Sequence, residues 1–309
     1  MAVYRDISNL NFERTAVAVG SFDGVHCGHQ MLLRRVAGLA VRHHLRSVAL
    51  TFWPHPRQVL DPVGDAPLLL NTLGEKIALL EQAGVDDVVV YPFDKTLAQM
   101  QAAGFIRDVV AGKLDARCLV VGRDHHFGKD RGGNVQRLSK LIAHSDLRVE
   151  VVDLKMLARK ISSSAIRKAL SCGDLPLAGE MLGYEYLISG KVVAGNHLGR
   201  TIGYPTANIE TPSYKLLPRE GVYRVRVKTG TGGFDRLGMM YIGRRPVLKQ
   251  KDATIRVEVN IFDFGQEIYG QEITLAVTHR IRDDIEFEDM GQLSEQLYRD
   301  KQNILSISS

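Results

Sequence analysis

The chain has 309 residues, 45% of them hydrophobic and 24% charged, a globular composition with enough material for two domains of ordinary size. The formal net charge of +5 suits a phosphate-bearing ligand, but no run of lysines and arginines is long enough to favour a nucleic-acid partner. The chain shows neither a secretion signal nor an apolar run of membrane-spanning length, and its three cysteines follow no metal-ligand spacing. We therefore expect a cytoplasmic protein with no membrane partner.

The first half of the sequence alternates between predicted strands and helices. The strand runs are rich in valine and leucine and read "TAVAVG", "SVALTFW", "DVVVYPF", "RCLVVG" and "LRVEVVDL". Helical patterns separate them: "TLGEKIALLEQAG" has Thr72 and Glu75 at capping-box spacing and Gly84 as a stop, and "GGNVQRLSKLIAHS" has one apolar face. This alternation predicts an α/β, doubly wound parallel sheet that binds ligands at the carboxyl ends of its strands.

The turn after the first of these strands carries two histidines in "VAVGSFDGVHCGHQMLLRRV". His26 and His29 flank Gly28, and the glycines of the turn allow backbone amides and the start of the next helix to approach an anion. Two imidazoles at that position can donate hydrogen bonds to phosphoryl oxygens. Two other interpretations remain open: the histidines cap or fill a tight turn, or they share a metal ion with Asp23 or Cys27.

The pattern changes near residue 185, after a helical stretch, "SSAIRKALSCGDLPLAGEMLGY", that would bridge the two halves. The predicted strands are then "YLISGKVVAG", "GVYRVRVKTG", "RLGMMYIG", "ATIRVEVNIFDF" and "EIYGQEITLAVTHRI", followed by a helix in "FEDMGQLSEQLYRDKQNIL". Short strands, glycine-rich turns and one closing helix predict a small antiparallel β-barrel. We thus expect two domains, residues 1–185 and 186–309.

The stretch "GNHLGRTIGYPTANIE" is the most informative part of the second half. Gly199 and Gly203 belong to a predicted flexible loop whose amides can face phosphates, and Pro205 then stiffens the chain. Thr206 and Asn208 are two residues apart on an extended segment, so their side chains point to the same side. Such hard oxygen ligands suit Mg²⁺, although an ordinary loop is the alternative interpretation.

Several of these motifs resemble known families. The pattern from Gly20 to His29 resembles the signature of the HxGH nucleotidyltransferases, and "ISSSAIRKAL" resembles that superfamily's second motif. "TFWPHP" matches a Pro-His-Pro turn at residues 54–56, and "GRDHHFGKDRGGN" is similar to a motif of bacterial FAD synthetases, with His125 where that pattern has an aromatic residue.

The barrel half resembles riboflavin kinases. "GRTIGYPTANI" resembles their signature, "VEVNIFDFGQEIYG" their strand with the catalytic glutamate, here Glu258, and "IRDDIEF" the turn that places Arg282 near flavin or ADP. "YIGRRPV" resembles a further segment but lacks the usual threonine after proline. The order of motifs is that of the bifunctional bacterial riboflavin kinase/FMN adenylyltransferases.

The resemblance implies a flavin-cofactor enzyme with flavins as substrates and products. The barrel would phosphorylate riboflavin with MgATP to FMN, and the HxGH domain would join FMN to the AMP part of a second ATP, releasing pyrophosphate and FAD. The implied catalytic residues are His26, His29, Arg167 and Glu258. The implied nucleotide and phosphate contacts are Gly20, Phe22, Asp23, Gly24, Gly28, Ser163, Ser164, Gly199, Gly203 and Pro205. The implied flavin contacts are Asp124, Phe127 and Arg282, and the implied Mg²⁺ ligands are Thr206 and Asn208.

Three rival functions remain at this point. The first is a nucleotidyltransferase for another phosphate acceptor, such as phosphopantetheine or nicotinate mononucleotide, which would have no need of a riboflavin kinase motif. The second is a flavin-sensing or storage protein that has lost turnover, which the charged groups retained at both motifs argue against. The third is nucleic-acid binding, driven by the basic pI. The residues predict no oligomeric state.

Overall fold

The computed structural model describes residues 1–8, 10–61, 66–123, 138, 140–142, 146–153, 161–195, 198–230, 232–244 and 255–308. The chain divides into two compact units, one of residues 1–69 and 73–163 and the other of residues 70–72 and 164–309. Residues 164–185 thus group with the second unit, and the boundary at 185/186 stays a prediction of the sequence. Among the described helices, none combines the length and apolar character needed to cross a membrane.

The first unit is built on a six-stranded parallel sheet with strand order β1-β4-β3-β2-β5-β6. Its strands are β1 (Ala2–Tyr4), β2 (Thr15–Val19), β3 (Arg46–Trp53), β4 (Asp87–Pro92), β5 (Ala116–Gly122) and β6 (Arg148–Val152). The five predicted strands are confirmed, and β1 adds an edge that the sequence analysis did not include. The strand order reverses beside β2, which has β3 on one side and β5 on the other, so the turn after β2 opens at the switch point of the sheet.

The described helices of the first unit follow the strands in the predicted alternation. They are α1 (Cys27–His43), α2 (Pro56–Leu60), α3 (Leu73–Gln82), α4 (Lys95–Gln99) and α5 (Ala102–Gly104), which continues as a π-helix (Phe105–Lys113). Gly84 has a φ of +83° after α3, as expected of a helix stop. The predicted helix in "GGNVQRLSKLIAHS" lies largely outside the described residues; within it, Leu138 is helical and fully buried.

The second unit contains a closed six-stranded antiparallel barrel, with strand order β10-β11-β8-β7-β12-β9. Its strands are β7 (Tyr186–Val193), β8 (Ala207–Glu210), β9 (Gly221–Thr229), β10 (Arg236–Gly243), β11 (Arg256–Ile261) and β12 (Glu272–Arg282). Its helices are α6 (Ser163–Cys172), whose first residue belongs to the first unit, α7 (Leu175–Leu182), α8 (Leu198–Thr201) and the closing helix α9 (Met290–Ser306). The predicted barrel and closing helix are confirmed, and α8 places one helical turn where the sequence predicted a flexible loop.

A buried lysine explains why residues 70–72 join the second unit. Lys215 is 3% exposed, and its Nζ donates hydrogen bonds to the carbonyl oxygens of Leu70 and Leu187, both at 2.6 Å. Asn71 Nδ2 adds a hydrogen bond to Tyr184 Oη at 3.3 Å. Burying a charged amine requires such partners, so this short segment stays tied to the barrel side.

Candidate active sites

The turn between β2 and α1 adopts a conformation that L-amino acids rarely take. Phe22 has a φ of +46°, Gly24 of +87° and Val25 of +32°. A positive φ at a β-branched residue is strained, and it persists only where the surroundings determine it. The surroundings here are tight: Phe22 and Val25 are each 1% exposed, and Gln30 Nε2 donates a hydrogen bond to the Val25 carbonyl at 2.9 Å.

The two histidines of this turn form a stacked pair at the start of α1. Their ring centroids are 3.7 Å apart with an interplanar angle of 14°, and the Phe22 ring meets His29 edge-on at 5.4 Å. His26 is the N-cap of α1: its Nδ1 accepts a hydrogen bond from the His29 backbone N–H at 3.4 Å. The capping interpretation is therefore correct for Nδ1 of His26, which accepts a hydrogen bond and so carries no proton. In the neutral ring, the proton is then on Nε2.

His26 is a neutral group at physiological pH. It is 5% exposed, and burial lowers its pKa to about 4 because the charged imidazolium would lose its hydration. A neutral imidazole with a proton on Nε2 donates one hydrogen bond, which is what a developing phosphoryl charge requires. A cluster of three or more potential metal ligands is absent from the part of the chain that the structure describes, so the metal interpretation has no third ligand there.

Within the first unit, a hydrogen bond links Ser163 to the turn that carries the histidines. Ser163 Oγ donates to the backbone carbonyl of Asp23 at 2.9 Å, across 140 positions of sequence. Ser163 is the first residue of α6, Ser164 is exposed, and the half-buried Arg167 follows Ser163 by about one helical turn. Ser163 is therefore held against the turn that carries the histidines, while Ser164 and Arg167 group with the second unit.

The structure describes some of the other residues predicted for this site, while others lie outside the described ranges. His55 of the Pro-His-Pro turn is 7% exposed and caps α2, its Nδ1 accepting a hydrogen bond from the Arg57 N–H at 3.2 Å. Gly20 packs closely on Phe22, since a Cβ there would lie 3.2 Å from its ring. Asp124, His125 and Phe127 lie outside the described residues.

The second candidate site lies on one face of the barrel, where β8 and β11 are neighbours. Asn208 is paired directly with Glu258, which is 5% exposed. Thr206 Oγ1 donates a hydrogen bond to Glu258 Oε2 at 3.3 Å, and Asn260 Nδ2 donates to the Pro205 carbonyl at 2.7 Å. The strand register thus brings together the side chains that the sequence placed in two separate motifs.

Glycines bring the segment before β8 close to this face. A Cβ at Gly195 would lie 2.0 Å from Asn208 Nδ2, and one at Gly199 would lie 2.1 Å from the Tyr204 carbonyl oxygen. Gly203 has a φ of +79° at the end of the helical turn. These positions need glycine for close approach and for a left-handed backbone rather than for flexibility.

A cleft of about 210 Å³ opens beside Pro205 and Thr206. Its apolar walls include Val192, Val259 and Phe264, and Arg200 contributes a positive charge at its edge. Apolar walls with a few polar groups are typical of a small-molecule site.

Arg282, predicted to face flavin or ADP, is held by the closing helix. Its Nε donates to both carboxylate oxygens of Asp300, at 2.8 and 3.1 Å, and its guanidinium carbon lies 5.9 Å from the Phe287 ring centroid. Its Nη1 donates to the Asp283 carbonyl at 3.0 Å. The guanidinium is therefore oriented before any ligand binds.

Sequence reasoning missed one residue at the second site and one buried charged residue of the first unit. Tyr241 on β10 is paired with Glu258 and donates a hydrogen bond to Asp284 Oδ2 at 2.9 Å; only the strand register reveals it. Lys76 is fully buried within the first unit. Its signal was present in the sequence, because it precedes Leu79 and Leu80 by three and four residues and so shares their buried helix face.

Comparisons with known proteins agree on both halves of the chain. A family model described as FAD synthetase matches residues 8–165, and one described as riboflavin kinase matches residues 182–308. The bifunctional riboflavin kinase/FMN adenylyltransferase of Haemophilus influenzae is 39% identical over 308 residues, covering 97% of each chain. That of Bacillus subtilis is 34% identical over 293 residues, 94% of this chain and 92% of the relative. A solved structure named as a macrolide-efflux protein from Streptococcus pneumoniae matches with a TM-score of 0.86 and 32% identity, covering 99% of both chains.

Proposed function

The chain belongs to the family of bifunctional riboflavin kinase/FMN adenylyltransferases, and from this premise we propose which residues carry its two activities. It is an enzyme that phosphorylates riboflavin to FMN and adenylylates FMN to FAD. Since ATP is the donor in both steps, each unit needs a nucleotide site of its own. Two observations carry the assignment: His26 and His29 stack in one turn of the first unit, and Thr206 and Glu258 meet on one face of the barrel.

The first unit carries out adenylyl transfer. The FMN phosphate attacks the α-phosphorus of ATP, the bond to the leaving pyrophosphate breaks, and no nucleophile from the protein is required. His26 and His29 donate hydrogen bonds to the α-phosphoryl oxygens as charge develops, beside the positive end of α1. The neutral state of His26 supports this role, because its Nε2 then acts as a donor without a proton being transferred.

The leaving pyrophosphate is held by the second motif. Ser163 and Ser164 stand at the start of α6, and Arg167 follows at the spacing of one turn. The hydrogen bond from Ser163 to the Asp23 carbonyl supports the part of this assignment that concerns Ser163, because it ties that residue to the histidine turn. Gly20, Phe22, Gly24 and Gly28 shape the turn, and Asp124 and Phe127 are proposed to contact FMN.

The second unit carries out phosphorylation of riboflavin. Glu258 acts as a general base that accepts the proton of the ribityl hydroxyl. The hydroxyl oxygen then attacks the γ-phosphorus of ATP, and the bond from that phosphorus to the leaving ADP breaks. Such a base contributes roughly 10²–10⁴-fold. The oxygens of Thr206 and Asn208 fit Mg²⁺, which prefers hard oxygen ligands, and these residues would hold it. When bound, the Mg²⁺ ion would neutralise negative charge on the ATP phosphates. The hydrogen bond between Thr206 and Glu258 supports one shared site.

The cleft beside Thr206 takes the nucleotide of the kinase reaction. Its apolar walls suit an adenine ring and Arg200 suits a phosphate, while Gly199, Gly203 and Pro205 form the adjacent segment. Arg282 is proposed to face the flavin. The use of ATP as the donor in both steps supports a cytoplasmic location.

One timed reaction with two variants tests this assignment. Purified protein is incubated with riboflavin, ATP and Mg²⁺, and the flavins are separated by chromatography. Wild type should form FMN and then FAD. His29→Ala should accumulate FMN without FAD, and Glu258→Gln should fail with riboflavin but still convert added FMN to FAD.

Matched controls are available in the same elements. His43→Ala lies at the other end of α1, and Glu210→Gln lies on the exposed side of β8. Both should retain both steps. Equal loss of the two steps in folded His29→Ala or Glu258→Gln protein would contradict the assignment of separate sites.

A further inference from the structure

Tyr241 lies on the same face of the barrel as Glu258. It is the direct partner of Glu258 in the pairing of β10 with β11, and the side chains of directly paired residues stand side by side on one face of a sheet. Its ring packs against an apolar cluster that includes Met239 and Ile304. No step of the proposed kinase reaction uses this phenol, although it stands next to the general base.

The phenol of Tyr241 extends along its own strand. A Cβ at Gly243, two residues further on and so on the same face of β10, would lie 2.1 Å from Tyr241 Oη and 2.4 Å from its Cζ. Any residue other than glycine at position 243 would therefore displace the ring. The hydroxyl end of the side chain thus lies directly against the backbone of β10.

The hydroxyl of Tyr241 reaches the segment that follows β12. Its Oη donates a hydrogen bond to Asp284 Oδ2 at 2.9 Å. Asp284 comes two residues after Arg282, which we propose to face the flavin, and Arg282 Nη1 donates to the carbonyl of the intervening Asp283 at 3.0 Å. This hydrogen bond therefore connects the strand beside the general base with the segment that carries the flavin-facing arginine.

The segment after β12 depends on side-chain contacts for its position. Residues 283–286 are exposed and form neither helix nor strand, and such a segment opens locally at low cost. Arg280 holds its start, because Arg280 Nη2 donates to Asp283 Oδ1. The bond from Tyr241 to Asp284 holds it to β10, and an ionised acceptor makes that bond stronger than one between neutral groups.

We propose that Tyr241 is a positioning residue for riboflavin, which acts through Asp284 to hold the flavin-facing segment at a fixed distance from Glu258. The inference rests on the function proposed for the barrel and concerns how its flavin substrate is held. The proton and phosphoryl transfers proceed without the phenol. Its loss should therefore weaken riboflavin binding and leave the chemical step intact.

The experiment compares Tyr241→Phe, which keeps the ring and removes the hydroxyl, with Tyr298→Phe on α9, a control position that is 58% exposed. Riboflavin phosphorylation, adenylylation of added FMN and the melting temperature are measured on each variant. Tyr241→Phe should raise KM for riboflavin about fivefold, the size expected for the loss of one hydrogen bond that is open to water. Its kcat, its KM for ATP and its adenylylation rate should equal those of wild type, and Tyr298→Phe should change nothing.

Variants of Asp284 test the route of the effect. Asp284→Ala should raise KM for riboflavin as much as Tyr241→Phe does, and Asp284→Asn, which keeps an acceptor oxygen, should recover part of the affinity. The double variant Tyr241→Phe/Asp284→Ala should have a KM no higher than that of the weaker single variant, because the same hydrogen bond is lost in all three.

Four results would overturn the proposal. They are a KM for riboflavin within twofold of wild type in Tyr241→Phe, a fall in kcat at unchanged KM, additive increases of KM in the double variant, and a lower melting temperature with kcat falling alongside, which would assign Tyr241 to packing. Failure of wild type to phosphorylate riboflavin, or undiminished phosphorylation by Glu258→Gln, would instead refute the proposed function of the barrel.

Discussion

Asp300→Asn tests how the closing helix is attached to the barrel. Asp300 lies on α9, is 1% exposed, and accepts two hydrogen bonds from Arg282 Nε and one from Gln296 Nε2 at 2.8 Å. The substitution keeps the shape of the side chain and removes its charge. Arg282, with its side chain 17% exposed, is then left with an uncompensated positive charge in a largely buried position.

The size of the effect follows from that burial. Removing one partner of a fully buried ion pair costs roughly 3–5 kcal/mol. Because solvent reaches part of Arg282, we expect about 2–4 kcal/mol of lost unfolding free energy. At roughly 2–4 °C per kcal/mol for a unit of about 150 residues, the melting temperature of the barrel unit should fall by about 4–16 °C. Since Arg282 is proposed to face the flavin, KM for riboflavin should rise as well.

The same helix provides a matched control. Glu295 pairs with Arg299 in an ion pair whose side chains are 65% and 62% exposed, so Glu295→Gln should cost less than about 1 kcal/mol. Calorimetry on wild type, Asp300→Asn and Glu295→Gln compares the melting temperatures that depend on the two ion pairs. The double variant Arg282→Met/Asp300→Leu removes both buried charges, so it should lose less unfolding free energy than Asp300→Asn alone. Equal melting temperatures for Asp300→Asn and Glu295→Gln would refute the reasoning.

Two further predictions concern the two sites. In Gly195→Ala, the new Cβ would lie 2.0 Å from the Asn208 side chain and displace it, so the rate of riboflavin phosphorylation should fall by about 10²-fold. The control Gly233→Ala, whose Cβ would have nothing within 4 Å, should leave that rate unchanged. Because the folded-state pKa of His26, about 4, is lowered from 6.5, its contribution to stability is complete above pH 6.5 and is lost as the pH falls towards 4. At pH 5, we expect the free energy of unfolding, measured by urea unfolding, to be about 2 kcal/mol lower than at pH 7. His26→Asn can still cap the helix but does not titrate, so its free energy of unfolding should not show this fall.

The elements of both units were predictable because they are local properties. Apolar runs such as "TAVAVG" form strands that are buried along their length. A strand covered on both faces needs apolar residues at every position, so its sequence is a continuous apolar run rather than an alternating one. Gly84 stops α3 because glycine takes a left-handed backbone without strain. The one-turn helix at Leu198–Thr201 was not predicted, because a single turn is too short to carry a periodic signal.

The candidate sites were predictable only motif by motif. Thr206 and Asn208 share a side because an extended chain alternates, and His26 and His29 are near each other because a helix starts between them. Tyr241 could not be found in this way. Its place opposite Glu258 depends on the pairing of β10 with β11, which no local pattern encodes.

The sequence by itself determined the two-part architecture, the strand runs, the residues of each motif and the family they resemble. Only the tertiary structure decided which distant residues meet: Ser163 with Asp23, Thr206 with Glu258, and Tyr241 with Glu258. The physical reason is that the hydrophobic periodicity of a segment indicates only which face of its own helix or strand is buried. Which charges and hydrogen bonds face one another depends on strand order and register, and these arise from the packing of the whole chain.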